Sequence, residues 1–215
     1  MTAMANPGLR ERKKEQTRAA IADAALALFA ERGFDAVTVA EVAHAADVST
    51  ATVFNYFPTK EDLMYSRFEA FEEELLAAIR ERPVGDSVLD AFGRFILERS
   101  RRGAGSDLGK RVAVTARIIS DSRALLARER QIVARYADAL AALIADETGA
   151  SPDDIRPRVA AGALMAVHRS LIDYARRRAL SRRGASTLAG DLEAEGRRAL
   201  ALLADGLGDY AVKQA

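Results

Sequence analysis

The chain has no cysteine, which excludes a disulfide scaffold, thiolate catalysis and cysteine-ligated zinc. It holds only two histidines, and no His-Glu-x-x-His, no Gly-x-Ser-x-Gly and no glycine-rich phosphate loop behind a strand. Carboxylates are abundant, but none has a spacing that requires catalysis. No catalytic residue, metal ligand or cofactor is therefore assigned. The N-terminal run MTAMANPGLRERKKEQTR lacks the apolar centre of a secretory signal, and charge interrupts every later apolar run. The expectation is a cytoplasmic protein with no membrane partner. A large excess of one charge is also missing. The net charge is +1, so attraction to nucleic acid must come from local clusters.

The composition, 49% hydrophobic and 29% charged over 215 residues, is that of a globular protein of one large domain or a small one joined to a larger one. Strand alternation and internal repeats are absent, and the fold class is all-α with about nine helices. Residues 1 to about 9 read as a flexible lead-in, 10–59 as one domain and 60–215 as a larger helical one. A helix over 10–32 places Ile21, Ala24, Ala25, Leu28 and Phe29 on one face, and Gly33 supplies a left-handed stop. Thr38 with Glu41 has capping-box spacing for a helix from Val39. Ser49 caps a helix from Thr50, and Thr59 with Asp62 caps one after Pro58. Further helices are predicted near 60–81, 86–101, 107–119, 122–148, 153–180 and 186–207. Ser151 to Asp154 reads as the start signal of the fifth of these. Pro83 to Gly85, Gly103 to Gly105 and Gly149 to Pro152 are the expected connections.

Two short helices joined by a tight turn, Thr38 to Phe57, form a helix-turn-helix pattern. Val42, Ala43 and Ala46 give the inner face, Val48 plugs the turn and Val53 packs back on the first helix. Asp47 falls where the turn favours a left-handed backbone, which Asp tolerates better than most residues. The outer face of the third helix carries Thr50, Ala51, Thr52, Asn55 and Tyr56. Asn pairs bidentately with adenine, and Thr and Ala methyls suit the thymine methyl. Thr38, Tyr56, Lys60 and helix-start amides suit phosphate. Thr38 and Ser49 serve either as caps alone or as DNA contacts as well. Residues 10–18 hold five basic side chains, Lys14 and Arg18 among them, against two acidic ones. Residues 1–60 together carry seven of each sign. Phosphate binding is thus expected to be local and salt-dependent.

On IADAALALFAERGFDAVTV, VAEVAHAADVS and TATVFNYFPTKEDL, residues 10–63 resemble the DNA-binding domain of the TetR family of one-component bacterial repressors. The resemblance implies double-stranded DNA as partner, with Thr38, Thr50, Thr52, Asn55, Tyr56 and Lys60 on positions that meet it. It also implies a helical ligand-binding and dimerisation domain behind. Asp47 replaces the usual glycine of the pattern, and Phe54 stands where a tyrosine usually supplies a phosphate hydroxyl.

In the larger part, Phe68, Phe71, Phe92, Phe95 and Ile96 form a group of large apolar side chains, either pocket lining or ordinary core. Arg117 is placed to meet an anionic group, to form a salt bridge or to face solvent. His168 and Tyr174 offer polar handles, unless His168 is a satisfied structural histidine. Gly162, Ala163 and Ala166 permit close approach of a partner helix. With Leu188, Leu192, Ala199 and Leu203 they suggest a four-helix interface between two copies, as the resemblance also implies. EAFEEELLAAIRERP and RIISDSRALLARERQIVARYADALAALIA are similar to a TetR subgroup that senses acyl-CoA-like ligands.

The leading expectation is a homodimeric repressor on a palindromic operator, released by a small apolar or acyl-CoA-like effector. The alternatives are an all-α enzyme with an apolar pocket and a helical adaptor that no longer binds DNA.

Overall fold

The computed structural model describes residues 8–68, 70–102, 108–181 and 187–213. The rest of the expected lead-in, the connection Gly103 to Gly105 and residue 186, where the last helix is predicted to begin, lie outside these. The described residues form helices and no strand. Two compact units emerge. One comprises residues 1–69 with 118–125, the other 70–117 with 126–215.

The first unit contains α1 (Leu9–Arg32), α2 (Val39–Ala45), α3 (Thr50–Tyr56), α4 (Lys60–Tyr65) and a 3-10 turn over Ser66–Phe68. Only the second half of α1 is buried: Ile21, Ala22, Ala25 and Phe29 face inward, while residues 10–16 are exposed. Gly33 ends α1 with φ +81, and its N–H donates to the Phe29 carbonyl at 2.9 Å. Its ψ of 156 is extended, so the stop is glycine-dependent but not the left-handed helical cap expected. Phe34 and Val37 turn into the core, and Phe34 meets Phe29 with ring centroids 5.0 Å apart. The three short helices each begin on a capped residue, which suits elements too short to persist alone. Thr38 and Glu41 form a reciprocal box, as do Thr59 and Asp62, and the Ser49 hydroxyl accepts the Thr52 N–H at 3.1 Å. Residues 118–125 are bonded into this unit: Tyr65 donates to the Leu125 carbonyl at 2.9 Å and Ser122 to Asp35 at 2.8 Å.

The second unit is built from α5 (Ala70–Arg80), α6 (Val88–Arg102), α7 (Leu108–Ser120), α8 (Arg123–Thr148), α9 (Arg156–Leu180) and α10 (Leu188–Leu207), with α7 and α8 shared at their junction. Its core joins Phe71, Leu75, Ile79, Phe92, Leu140, Ile144 and Leu164. The helix predicted over 60–81 is interrupted by the 3-10 turn at Ser66–Phe68, although no proline or glycine marks the place. The predicted start at 153 also moves. Ser151 to Asp154 forms a turn, Asp154 N–H to Ser151 carbonyl at 2.9 Å. The Asp154 carboxylate then accepts the Arg156 N–H at 2.9 Å, and Pro157 sits in the first turn of α9. At α6, Ser87 and Asp90 form a reciprocal cap, with bonds of 3.0 and 3.1 Å.

A buried arginine ties the end of the chain to this unit. The Arg82 side chain is 1% exposed and pairs with Glu147 at 2.7 Å. Its guanidinium donates to the carbonyls of Ile79 at 2.6 Å, Asp86 at 3.2 Å and Ala211 at 3.0 Å. Beside it, Gly85 N–H donates to Lys213 and Lys213 N–H to Asp86, at 3.0 and 3.1 Å. Ala211 holds a left-handed φ of 51, a conformation that costs energy without a glycine and is kept here by these bonds.

Candidate functional site

The turn between α2 and α3 closes with Asp47 at φ 54 and Val48 N–H donating to the Ala43 carbonyl at 3.0 Å. Aspartate therefore fills the place usually held by glycine without opening the turn. Val42, Ala43, Val53 and Phe57 are buried, so α3 is fixed by one face. Its other face exposes Thr50, Ala51, Phe54 and Asn55, while Thr52 and Tyr56 are half-buried. Phe54, 47% exposed, is the one large apolar group on that face. Ser49 and Thr52 hydroxyls bond each other at 2.8 Å.

The helix-start residues are more heavily used than their sequence pattern suggests. The Thr38 hydroxyl donates to Glu41 at 2.8 Å and accepts the Glu41 N–H at 3.2 Å. Glu41 also pairs with Arg32 at 2.8 Å. The Thr38 backbone N–H, then the Thr38 hydroxyl and Arg32, hold the Glu41 carboxyl down at about 2. Lys60 points inward: its ammonium donates to the Phe34 carbonyl at 2.6 Å and lies 4.2 Å from the Phe34 ring centroid. Burial lowers its pKa, against the pull of Asp35, Glu61 and Glu41. Two of its three N–H groups remain for another acceptor.

On α1, Arg18 lies over the Phe57 ring at 4.9 Å, while Lys13 and Lys14 are exposed. Arg10, Glu11, Lys13, Lys14 and Thr17 share a recess of about 480 Å³ with Tyr56 of α3. The basic turn of α1 and the end of the exposed α3 face thus meet one space in which an anion is favoured. Lys13 belongs with Lys14 to the basic run of the sequence; Arg10 and Thr17 are additions to the site, and their signal is the i, i+3, i+4, i+7 spacing with the two lysines.

In the second unit four of the five expected apolar pocket residues share one core. Phe92 and Ile96 are buried core, Phe71 is buried and Phe95 half-buried against it. Phe68 belongs to the first unit, 42% exposed beside Tyr65. Arg117 is exposed and Tyr174 half-buried. His168 stacks on Phe71 with centroids 4.3 Å apart and borders a cleft of about 180 Å³ with Ile96 and Arg99. Burial first, and then the Arg99 charge, push its pKa down to about 4. Because that value lies below the unfolded one, the neutral ring contributes stability above about pH 6.5 that is lost as pH falls towards 4. The loss should be about 2 kcal/mol, less than the full shift carries because part of the ring borders an open cleft. Urea unfolding at pH 7 and pH 4.5 should show a steeper fall in this chain than in His168→Phe.

The seven residues expected between two copies also divide. Gly162 and Ala166 are exposed on α9 and Ala163 is half-buried. Leu188 is buried, and Leu192, Ala199 and Leu203 pack against the core of their own unit, where α10 crosses α6 and α9. These four leucine and alanine positions face inward because α6 and α9 need their cover. On α10 the exposed large apolar side chain is Leu202, 84% exposed. A recess of about 300 Å³ on α8 and α9 includes Ala134, Ala137, Gly162 and Ala166.

Residues 21–65 match the family model "Bacterial regulatory proteins, tetR family", and residues 83–208 match "MftR C-terminal domain". The chain is 34% identical over 169 residues to the HTH-type transcriptional regulator TcmR of Streptomyces glaucescens, covering 76% of this chain and 74% of that protein. The fold is also that of a structure described as the SmeT–triclosan complex, with a TM-score of 0.60 at 20% identity, over 91% of this chain and 94% of that one. A third match is FadR of Bacillus subtilis in complex with stearoyl-CoA, with a TM-score of 0.50 at 20% identity, over 88% and 98% of the two chains.

Proposed function

The chain belongs to the TetR family of bacterial transcriptional regulators, and from that premise we propose that it is a homodimeric repressor released from a palindromic operator by a small-molecule effector. The observation that carries this reading is the exposed α3 face, Thr50, Ala51, Phe54 and Asn55, beside a basic recess bounded by Lys14 and Tyr56. Base edges are read by the first group and phosphates are held by the second. Two such heads on a two-fold axis require half-sites about one helical turn apart or a multiple of it. The exposed small residues Gly162 and Ala166 of α9 are the surface proposed for pairing two copies. The site of action is the cytoplasm; among the described residues no helix is long and apolar enough to cross a membrane. Triclosan and stearoyl-CoA, held by two proteins of this fold, support an apolar effector in the second unit. Its preference for a DNA-incompetent arrangement shifts the population away from the operator.

The purified protein should enrich a palindrome from a random DNA pool, and failure to enrich any sequence sinks the repressor reading. Lys14→Ala tests the phosphate assignment better than Lys60→Ala, since Lys60 also holds the Phe34 carbonyl. Lys14→Ala should weaken binding similarly on all sequences and lower the salt slope by about one. An unchanged slope in gel shifts removes Lys14 from the interface.

A further inference from the structure

The cleft beside His168 has aliphatic walls, with Ile96 from α6, Leu171 and Ile172 from α9 and Leu192 from α10. Three polar side chains reach it. The Ser100 hydroxyl already donates to the Ile96 carbonyl at 3.0 Å. Arg99 is committed as well: it pairs with Glu74 at 2.7 Å and lies over the Phe71 ring at 5.2 Å. Glu74 thus already draws on the charge that a carboxylate or phosphate would need. His168 is the exception. Its contact is the stack on Phe71, and among the described residues it hydrogen-bonds to nothing. A neutral imidazole holds one N–H donor and one ring-nitrogen acceptor, and both are left for a molecule in the cleft. The space, about 180 Å³, is only slightly larger than a cavity that admits benzene.

We propose that this cleft is the effector site and that its ligand is a small uncharged molecule, a single ring or short branched skeleton bearing one hydroxyl or carbonyl that pairs with His168. This rests on the reading of the chain as a ligand-responsive regulator and narrows it: an acyl-CoA is far larger than the cleft and carries several negative charges against one guanidinium, which Glu74 already pairs. The aliphatic walls supply affinity through burial, and the imidazole supplies selection by leaving its own groups unsatisfied when the polar group is missing.

The test is calorimetric titration of the full chain with three probes of one skeleton: 4-propylphenol, propylbenzene and 4-propylbenzoate. The phenol should bind about tenfold tighter than the hydrocarbon, and the benzoate more weakly than either. His168→Phe should bind the two neutral probes equally, whereas His168→Gln, which keeps a donor and an acceptor, should retain part of the preference. Circular dichroism establishes that each variant is folded, and the Gln variant decides the matter if the Phe variant is not. The proposal is overturned if the benzoate binds best, if His168→Phe keeps the tenfold preference, or if none of the probes binds at millimolar concentration. Operator binding measured on the same preparations separates the cases. Intact operator binding with no probe binding overturns the cleft assignment alone, and loss of sequence-specific binding by the unmodified chain overturns the regulator reading beneath it.

Discussion

Ala51→Glu is expected to lower affinity for the selected DNA about a thousandfold while leaving the fold in place. Ala51 is exposed on α3, between Thr50 and the half-buried Thr52, so a longer side chain there extends into solvent. In the free protein the change exchanges one good helix former for another, and an acid in the first turn is favoured by the helix dipole. On DNA the same carboxylate enters a groove between two rows of phosphates. Like-charge juxtaposition in an interface costs several kcal/mol, and about 4 kcal/mol corresponds to a thousandfold. Gel shift and urea unfolding of the same preparation separate binding from folding. Full affinity with an intact fold would mean that the exposed face of α3 does not enter the groove.

Arg82→Met should destabilise the second unit by about 3–5 kcal/mol, the effect of breaking a buried ion pair by removing one partner. Three backbone carbonyls and Glu147 share this guanidinium, and the methionine stem replaces the packing but none of the donors. Arg82→Lys should recover only part of the loss, since an ammonium cannot reproduce the planar fork. Urea unfolding followed by circular dichroism is the measurement, fitted with separate transitions if the two units do not melt together. A loss below about 1 kcal/mol for Arg82→Met would show that the tail and the α5–α6 loop hold without it. The A51E and R82M effects should be separable, because one acts on a surface and the other inside a core.

The caps show how far local pattern reaches. Thr38 with Glu41, Ser49, and Thr59 with Asp62 were legible because each bond spans three residues, so spacing alone specifies it. Asp47 was legible for the same reason: the turn between two short helices leaves one position that needs positive φ. The all-α class followed from periodicity over long segments. Ser87 with Asp90 carried the same signal, and the turn at Ser151 to Asp154 shows that a start signal can be one proline early. Neither the 3-10 turn at Ser66–Phe68 nor the burial of Arg82 had a local mark. The second depends on carbonyls more than a hundred residues apart.

The candidate sites divide along the same line. The exposed α3 residues were readable because one side of a short amphipathic helix must face outward once Val53 and Phe57 face inward. The direction of Lys60 was not, since the Phe34 carbonyl lies 26 residues away. The α10 leucines form an apolar stripe that α6 and α9 of the same chain cover in part. A stripe of apolar side chains states only that something covers it. What the sequence by itself determined was the helical class, the helix-turn-helix with its caps, and the faces that turn away from water, because these depend on neighbours within a turn or two. Which face meets which helix, which lysine donates to its own backbone, and that His168 stacks on Phe71 with no hydrogen bond among the described residues were decided only by tertiary structure. Those outcomes depend on groups brought together from distant parts of the chain, and burial then sets their charge and availability.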